Sequence, residues 1–233
     1  AVCVPRSASS AQRDPLKRQQ ALVAMGRRAV APPESNVLLH DAAALAAECL
    51  RRPPEALHVV SVGSGPALDV AGALAMLPDQ RRATVRVTLL DLDPDALEFA
   101  RGRLHPLLPG ESLRCERANL FRLPKMAQSA PLIGTPDFLV CAGLFDYLDD
   151  DAAAAMLGLF WQRLAPGGLL LVGNFAPHNP TRAYMEWIGN WYLLYRTPGQ
   201  MQQLAARAGI PQGRLTISSE RLGVDLFLVA RRG

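Results

Sequence analysis

The stretch His58-Val59-Val60-Ser61-Val62-Gly63-Ser64-Gly65-Pro66-Ala67-Leu68-Asp69 decides the fold. Residues 57–62 read as a continuous strand, the pattern of a central parallel strand covered on both faces. A glycine turn follows, then a helix over 67–77. Such a turn lets backbone approach a ligand and leaves helix N–H groups facing an anion. A dinucleotide fingerprint, GxGxxG, requires glycine at 68, where Leu68 stands, and no other feature suggests a nicotinamide site. A second acidic turn, Leu90-Asp91-Leu92-Asp93-Pro94, comes one helix and one strand later. Asp91 closes the strand expected over 84–90, at the edge where open α/β sheets bind ligands. A carboxylate there can accept hydrogen bonds from two ribose hydroxyls. Asp93, ahead of Pro94, is the better helix cap, which leaves Asp91 for a ligand.

Working outward, residues 1–15 are polar and carry no periodicity. A helical pattern over 15–30 puts Leu16, Ala21, Leu22, Met25 and Val30 on one side. Ala31-Pro32-Pro33-Glu34-Ser35-Asn36 breaks it, and Ser35 or Asn36 is placed to cap a helix over 37–50. Downstream, helix 93–104 and strand 112–116 precede a loop over 122–135. Strand 137–141, a helix opened by Asp149/Asp150 and running to 164, and strand 169–173 follow. Helices over 182–195 and 198–208 precede strands 214–219 and 224–230, whose short connection predicts antiparallel pairing. This alternation predicts a Rossmann-like, doubly wound α/β sheet with right-handed crossovers and helices on both faces. Residues 1–36 form a tail and helix, suited to a lid or to pairing two copies as a homodimer. Residues 37–233 form the main domain.

The chain has 233 residues, 49% of them hydrophobic, enough for one domain with its own core. No apolar run reaches the length of a membrane span, and no secretory signal pattern is read. It begins at Ala1, which leaves open a piece of a longer protein. Cys3, Cys49, Cys115 and Cys141 form no CxxC pair and none is near a histidine at ligand spacing. They read as reduced thiols of a cytoplasmic protein, and no metal site is expected. The net charge is +4, and six basic residues precede Asn36 against Asp14 and Glu34. No aromatic residues interleave them, so a solvated helix face is favoured over a nucleic-acid partner.

With Leu164-Ala165-Pro166-Gly167-Gly168-Leu169 added to the two turns, the chain resembles class I S-adenosylmethionine-dependent methyltransferases over about residues 37–230. The resemblance implies a seven-stranded sheet, mostly parallel, with an antiparallel C-terminal strand. It places Gly63, Ser64, Gly65 and Pro66 at the methionine part of the cofactor, Asp91 at the ribose and Leu92 beside the adenine. Asn119, with Leu120, matches a position often held by Asp, and an amide oxygen can still accept from the adenine amine. Ala142 and Gly143 line the sulfonium end. Ala67 departs from the family, many of whose members have another glycine there, and slightly tighter packing is expected of it.

A narrower similarity runs through Ala142-Gly143-Leu144-Phe145-Asp146-Tyr147, then Gly173-Asn174-Phe175-Ala176-Pro177-His178-Asn179-Pro180, then Trp191-Tyr192-Leu193-Leu194-Tyr195-Arg196. It is to bacterial methyltransferases labelled for extracellular-factor, 3-hydroxypalmitic acid methyl ester, biosynthesis. That label implies methyl transfer to a carboxylate of a small molecule. A carboxylate needs no base, whereas a hydroxyl or amine acceptor does. His178, Tyr147 and Asn174 are the catalytic candidates, and Arg182, Tyr184, Trp191 and Tyr195 the candidates for holding the acceptor. Each has a plain alternative. Tyr184, Trp187, Trp191 and Tyr195 share one helical face and suit core packing as well as a substrate wall. His178 suits a surface loop. Arg182 or Arg196 can pair with Glu186 or Asp146 instead of a ligand, and Arg196 reads as structural.

Overall fold

The computed structural model describes residues 32–53, 55–126 and 129–233, with side chains from 40 onward. The helix expected over 15–30 lies outside the described residues. Seven strands form one sheet: β1 (Leu57–Val62), β2 (Val85–Asp91), β3 (Leu113–Arg117), β4 (Phe138–Cys141), β5 (Leu169–Phe175), β6 (Leu215–Ser219) and β7 (Asp225–Arg231). Their order is β3-β2-β1-β4-β5-β7-β6. The first five pair in parallel, and β7 is antiparallel to both β5 and β6. Only the C-terminal strand is therefore reversed, as expected.

Eight α-helices accompany the sheet among the described residues: α1 (Pro32–Arg51), α2 (Leu68–Ala75), α3 (Asp79–Arg82), α4 (Pro94–Leu104), α5 (Ser129–Ile133), α6 (Asp150–Arg163), α7 (Arg182–Trp187) and α8 (Pro198–Arg207). Strand alternation divides the core into two layers. Val60, Leu139 and Val172 pack with Met156 and Phe160 of α6 and with Met201 and Leu204 of α8. Val59, Val140, Leu171 and Phe227 pack with α1, α2 and α4 through Ala42, Leu45, Val70, Leu74 and Leu97. Helix starts follow local chemistry. Asp93 accepts from Asp95 N, Asp149 accepts from Ala152 N, and Thr197 forms a capping box with Gln200.

Helix α1 is pinned at the sheet edge where the parallel strands begin. Glu48, buried, accepts from Arg51, Arg52 and Arg231, while Arg52 also bonds Asp137 at 2.6 Å. Burial pushes the Glu48 carboxyl up, but Arg231, Arg51 and Arg52 outweigh it and hold it at about 2. With its C-terminal end fixed there, α1 carries its first half to the opposite edge, where strands β1 to β5 end.

Three expectations need correcting. Helix α1 starts at Pro32 rather than 37, because prolines fit a first helical turn, where no backbone donor is needed. The loop expected over 122–135 contains a 3₁₀ turn (Leu120–Lys125) and the short α5. Helix α7 stops at Trp187 instead of continuing to 195. Gly189 and Asn190 end it, the latter at φ 48. Beyond them the chain bonds outward, with Leu194 N donating to Asp146 O at 2.8 Å and Arg196 N to Phe175 O at 3.0 Å.

Candidate active site

The turns after β1 and β2 meet through one carboxylate. Asp91 Oδ2 accepts from Gly65 N at 2.8 Å and Oδ1 from Asp93 N at 3.0 Å. The residue is 2% exposed. Burial pushes its carboxyl up, and the N–H groups of Asp93 and Gly65 pull it back. Gly63 and Gly65 hold positive φ, 70° and 49°, and a Cβ added at Gly65 would meet nothing within 4 Å, so the turn faces open space. Pro66 is half-buried and Leu92 buried beside these turns.

Sheet order places β2 between β1 and β3, hence Asp91 between Ser64 and Asn119. Ser64 Oγ and Asn119 Oδ1 are both buried without a hydrogen-bond partner among the described residues. Buried polar atoms are normally satisfied, so two beside one open turn mark a place for ligand atoms. Leu120 behaves differently. Its side chain is fully buried and reaches within 3.7 Å of where a Gly63 Cβ would stand, so it supports the turn from the core. Ala67, at the N-cap of α2, has φ 50 and ψ 44. Its departure from glycine is thus felt in the backbone, at about 1–2 kcal/mol for an L-residue.

At the end of β4, Ala142 is half-buried and Gly143 exposed. A Cβ on Gly173 would fall 2.7 Å from Ala142 O, so glycine is what lets β5 approach this point. Beyond it stands an aromatic wall. Trp191 Nε1 donates to Tyr147 Oη. Phe175 meets Trp191 edge-on with centroids 6.3 Å apart, and Tyr195 at 6.4 Å. The Arg182 guanidinium lies 4.5 Å from the Tyr195 ring centroid while Nε bonds Glu186 at 2.7 Å. Tyr184 and Trp187 are not part of the wall. They are 68% and 84% exposed, because α7 ends before the expected face is complete. His178 is exposed in the loop after β5.

Asn174 is structural, which corrects its placement among the catalytic candidates. Fully buried, it donates to Phe175 O and Leu194 O and accepts from Arg196 Nη1 at 2.6 Å. Neither end is left to touch a substrate. Arg196, 3% exposed, also donates to Phe145 O, Leu148 O and Asp150 Oδ1, so it is structural as expected.

Sequence reasoning missed three buried acids at this edge. Asp146 accepts from Phe175 N at 2.7 Å. Burial pushes its carboxyl up to about 7, against the Phe175 N–H and Arg196. Asp41 of α1 and Asp69 of α2 are the others, each 9% exposed or less. The available signal was position: Asp146 lies in the turn after a predicted central strand, and Asp69 in the first turn of the helix that follows another. The described residues contain no His/Cys/Asp/Glu group fit to hold a metal ion, and no described helix is long and apolar enough to cross a membrane.

No protein-family model and no curated protein matches the chain. Solved structures do. A possible exported protein from Bordetella parapertussis is 20% identical, with TM-score 0.66 over 84% of this chain and 66% of that one. An O-methyltransferase family protein from Burkholderia thailandensis is 18% identical, with TM-score 0.61 over 95% and 60%. The chain thus spans less than two thirds of either. Magnesium protoporphyrin IX methyltransferase from Synechocystis PCC 6803, with bound SAH (S-adenosylhomocysteine), is 15% identical, with TM-score 0.62 over 85% and 84%. What the chain shares with these structures is the fold, the Rossmann-like seven-stranded sheet of S-adenosylmethionine-dependent methyltransferases.

Proposed function

We propose that the chain is an S-adenosylmethionine-dependent methyltransferase that methylates an oxygen, carboxylate or hydroxyl, of a small-molecule metabolite. One observation carries the cofactor reading: Ser64 Oγ and Asn119 Oδ1, buried and unpartnered, flank Asp91 at an open glycine turn. The residues fit that group. Asn119 Oδ1 can accept from the adenine amine, and Asp91 presents a carboxylate at the end of β2, a group suited to ribose hydroxyls. Turn 63–65 lets backbone approach the amino-acid end, and Leu92 flanks the adenine. When bound, S-adenosylmethionine supplies a methyl group on a cationic sulfur, open to in-line displacement.

The chain's own residues then have to hold an acceptor oxygen against that methyl. Tyr147, Phe175, Trp191 and Tyr195 offer a rigid aromatic surface beyond Ala142 and Gly143, and Arg182 stands at its rim with a guanidinium suited to a carboxylate. A carboxylate acceptor is ionised at neutral pH, so placement alone supplies most of the rate. This favours ester formation, the chemistry implied by the subgroup similarity. His178 is the base candidate for a hydroxyl.

Isothermal titration with SAH tests the reading, and micromolar binding is expected. No binding at high micromolar ligand refutes it. Release of SAH from S-adenosylmethionine in the presence of metabolite extract separates an enzyme from a binding module.

A further inference from the structure

Asp41 is the most deeply buried acid at this edge, 1% exposed, and neither carboxylate oxygen has a hydrogen-bond partner among the described residues. His40 Nδ1 stands 3.6 Å from Oδ1, past hydrogen-bond reach, with its ring stacked on Phe227 at 3.9 Å. Phe227 is the register partner of Gly173, which fixes this pair over the end of β5. Helix α1 lies against α2, with Ala42 Cβ 3.3 Å from the Cβ position of Gly72. One turn above Gly72 is Asp69, in the first turn of α2 and just past turn 63–65. The two acids sense each other. After burial, the Asp41 charge is the next cause raising the Asp69 carboxyl, to about 7. The Cys141 thiol at the end of β4 is pushed up by burial, and further by Asp146, Asp91 and Asp41.

Buried carboxylates persist when a cation pairs them, and two side by side call for one more strongly. No Lys or Arg side chain bonds either acid among the described residues, whereas Glu48, also on α1, gathers three arginines. The unpartnered Ser64 Oγ belongs to the same turn. The ligand proposed above bears one aliphatic ammonium, on the amino-acid end that turn 63–65 approaches.

We infer that Asp41 and Asp69 form a carboxylate pair that receives the α-ammonium of that ligand, with Ser64 Oγ beside them. The inference rests on the S-adenosylmethionine reading. It gives α1, which precedes every motif of the cofactor site, a direct part in binding.

Two probes test it by calorimetry on the full chain: SAH, and 5′-methylthioadenosine, which keeps adenine, ribose and thioether but lacks the amino-acid end. Asp41→Asn and Asp69→Asn are each expected to weaken SAH at least about tenfold, or 1.4 kcal/mol, while 5′-methylthioadenosine binding changes less than about twofold. An equal loss for both probes, or no loss for SAH, overturns the pairing. A wild-type chain that binds neither probe refutes the cofactor reading, and this inference with it. Should the variants fail to fold, the wild type still decides. Near pH 6.5, SAH should release protons on binding, seen as a buffer-dependent enthalpy, because the ammonium ionises Asp69, whose carboxyl burial and the Asp41 charge push up to about 7. The groups facing it are His40 and Asp41 from α1, Asp69 from α2, Asp91 from β2, and Cys141 and Asp146 at the end of β4. 5′-Methylthioadenosine should release fewer. Equal release by both ligands overturns the inference.

Discussion

Arg196→Ala removes the group on which the acceptor segment hangs. The guanidinium is 3% exposed and bonds Phe145 O at 2.8 Å, Asn174 Oδ1 at 2.6 Å, Leu148 O at 2.5 Å and Asp150 Oδ1 at 2.9 Å. Asp150, 60% exposed at its side chain, rehydrates without difficulty. Phe145 O keeps its bond from Leu148 N at 3.1 Å. Asn174 Oδ1 and Leu148 O are stranded, at about 1–3 kcal/mol each. The sum is about 2–6 kcal/mol, and water entering the space left behind brings it to the lower part of that range, about 3. For a chain of this size 1 kcal/mol moves the melting temperature by about 2–4 °C, so the expected fall is roughly 6–12 °C. Circular dichroism melts measure it. Arg196→Lys keeps the charge without the planar fork and should recover about half. SAH affinity, read below the melting transition, should stay within about twofold, because the Asp91–Gly65 link lies across the sheet. A variant melting within about 2 °C of the parent would overturn this account, since Asn174 Oδ1 and Leu148 O would then have other partners.

Gly65→Ala puts a methyl group into open space at a left-handed φ. Stability should fall by about 1–2 kcal/mol while SAH affinity in calorimetry falls more than about tenfold; unchanged affinity would place the ligand elsewhere. Gly173→Ala sets a Cβ 2.7 Å from Ala142 O. Urea unfolding should show a loss of about 1–3 kcal/mol as the β4 end is forced away. Stability of the ligand-free chain should fall as pH rises from 3.8 to about 7, because folded Asp69 and Asp146 hold their protons more tightly than the unfolded chain does. Glu48 works in the opposite sense, contributing fully above 4.5 and losing its contribution as pH drops toward about 2. Urea midpoints across this range should therefore peak at about pH 4–5, and a midpoint rising steadily toward neutrality would contradict it.

The proposed cofactor half was legible in the sequence because its signals are short-range. A strand pattern, a glycine turn and a capping Asp93 before Pro94 each act within a few residues, and together they singled out Asp91. Asn119 followed from the motif resemblance, and its oxygen is buried without a hydrogen-bond partner among the described residues. The acceptor half misled because it is held by bonds across long sequence separations. Trp187, Trp191 and Tyr195 repeat every four residues, yet past Trp191, whose N–H still donates to Met185 O, Leu194 N bonds Asp146 O and Arg196 N bonds Phe175 O. Periodicity does not say which carbonyl a distant arginine will satisfy, so Asn174 passed for a free polar group when Arg196 already held it. Asp41 was overlooked for a related reason. It follows His40 beside the apolar positions Ala42 and Leu45, and it is buried on a helix that core packing and the Glu48–Arg231 pair hold against the sheet.

That difference in range has a functional consequence. The bonds that tie turn 63–65 to Asp91 involve no atom of residues 182–197. Conversely, Trp191 and Tyr195 of the wall stand on the irregular segment after α7, tied to Tyr147 and Phe175 by the Trp191 Nε1 bond and ring contacts and to Asp146 O through Leu194 N, so their side chains can change size without shifting a strand. Trp191→Phe should thus alter which acceptors are methylated, by removing the Nε1 bond to Tyr147, while leaving SAH affinity within about twofold. A parallel loss of SAH affinity in Trp191→Phe would mean that the two halves are coupled through Tyr147, and the acceptor surface would then have to be redrawn to include the sulfonium end of the cofactor site.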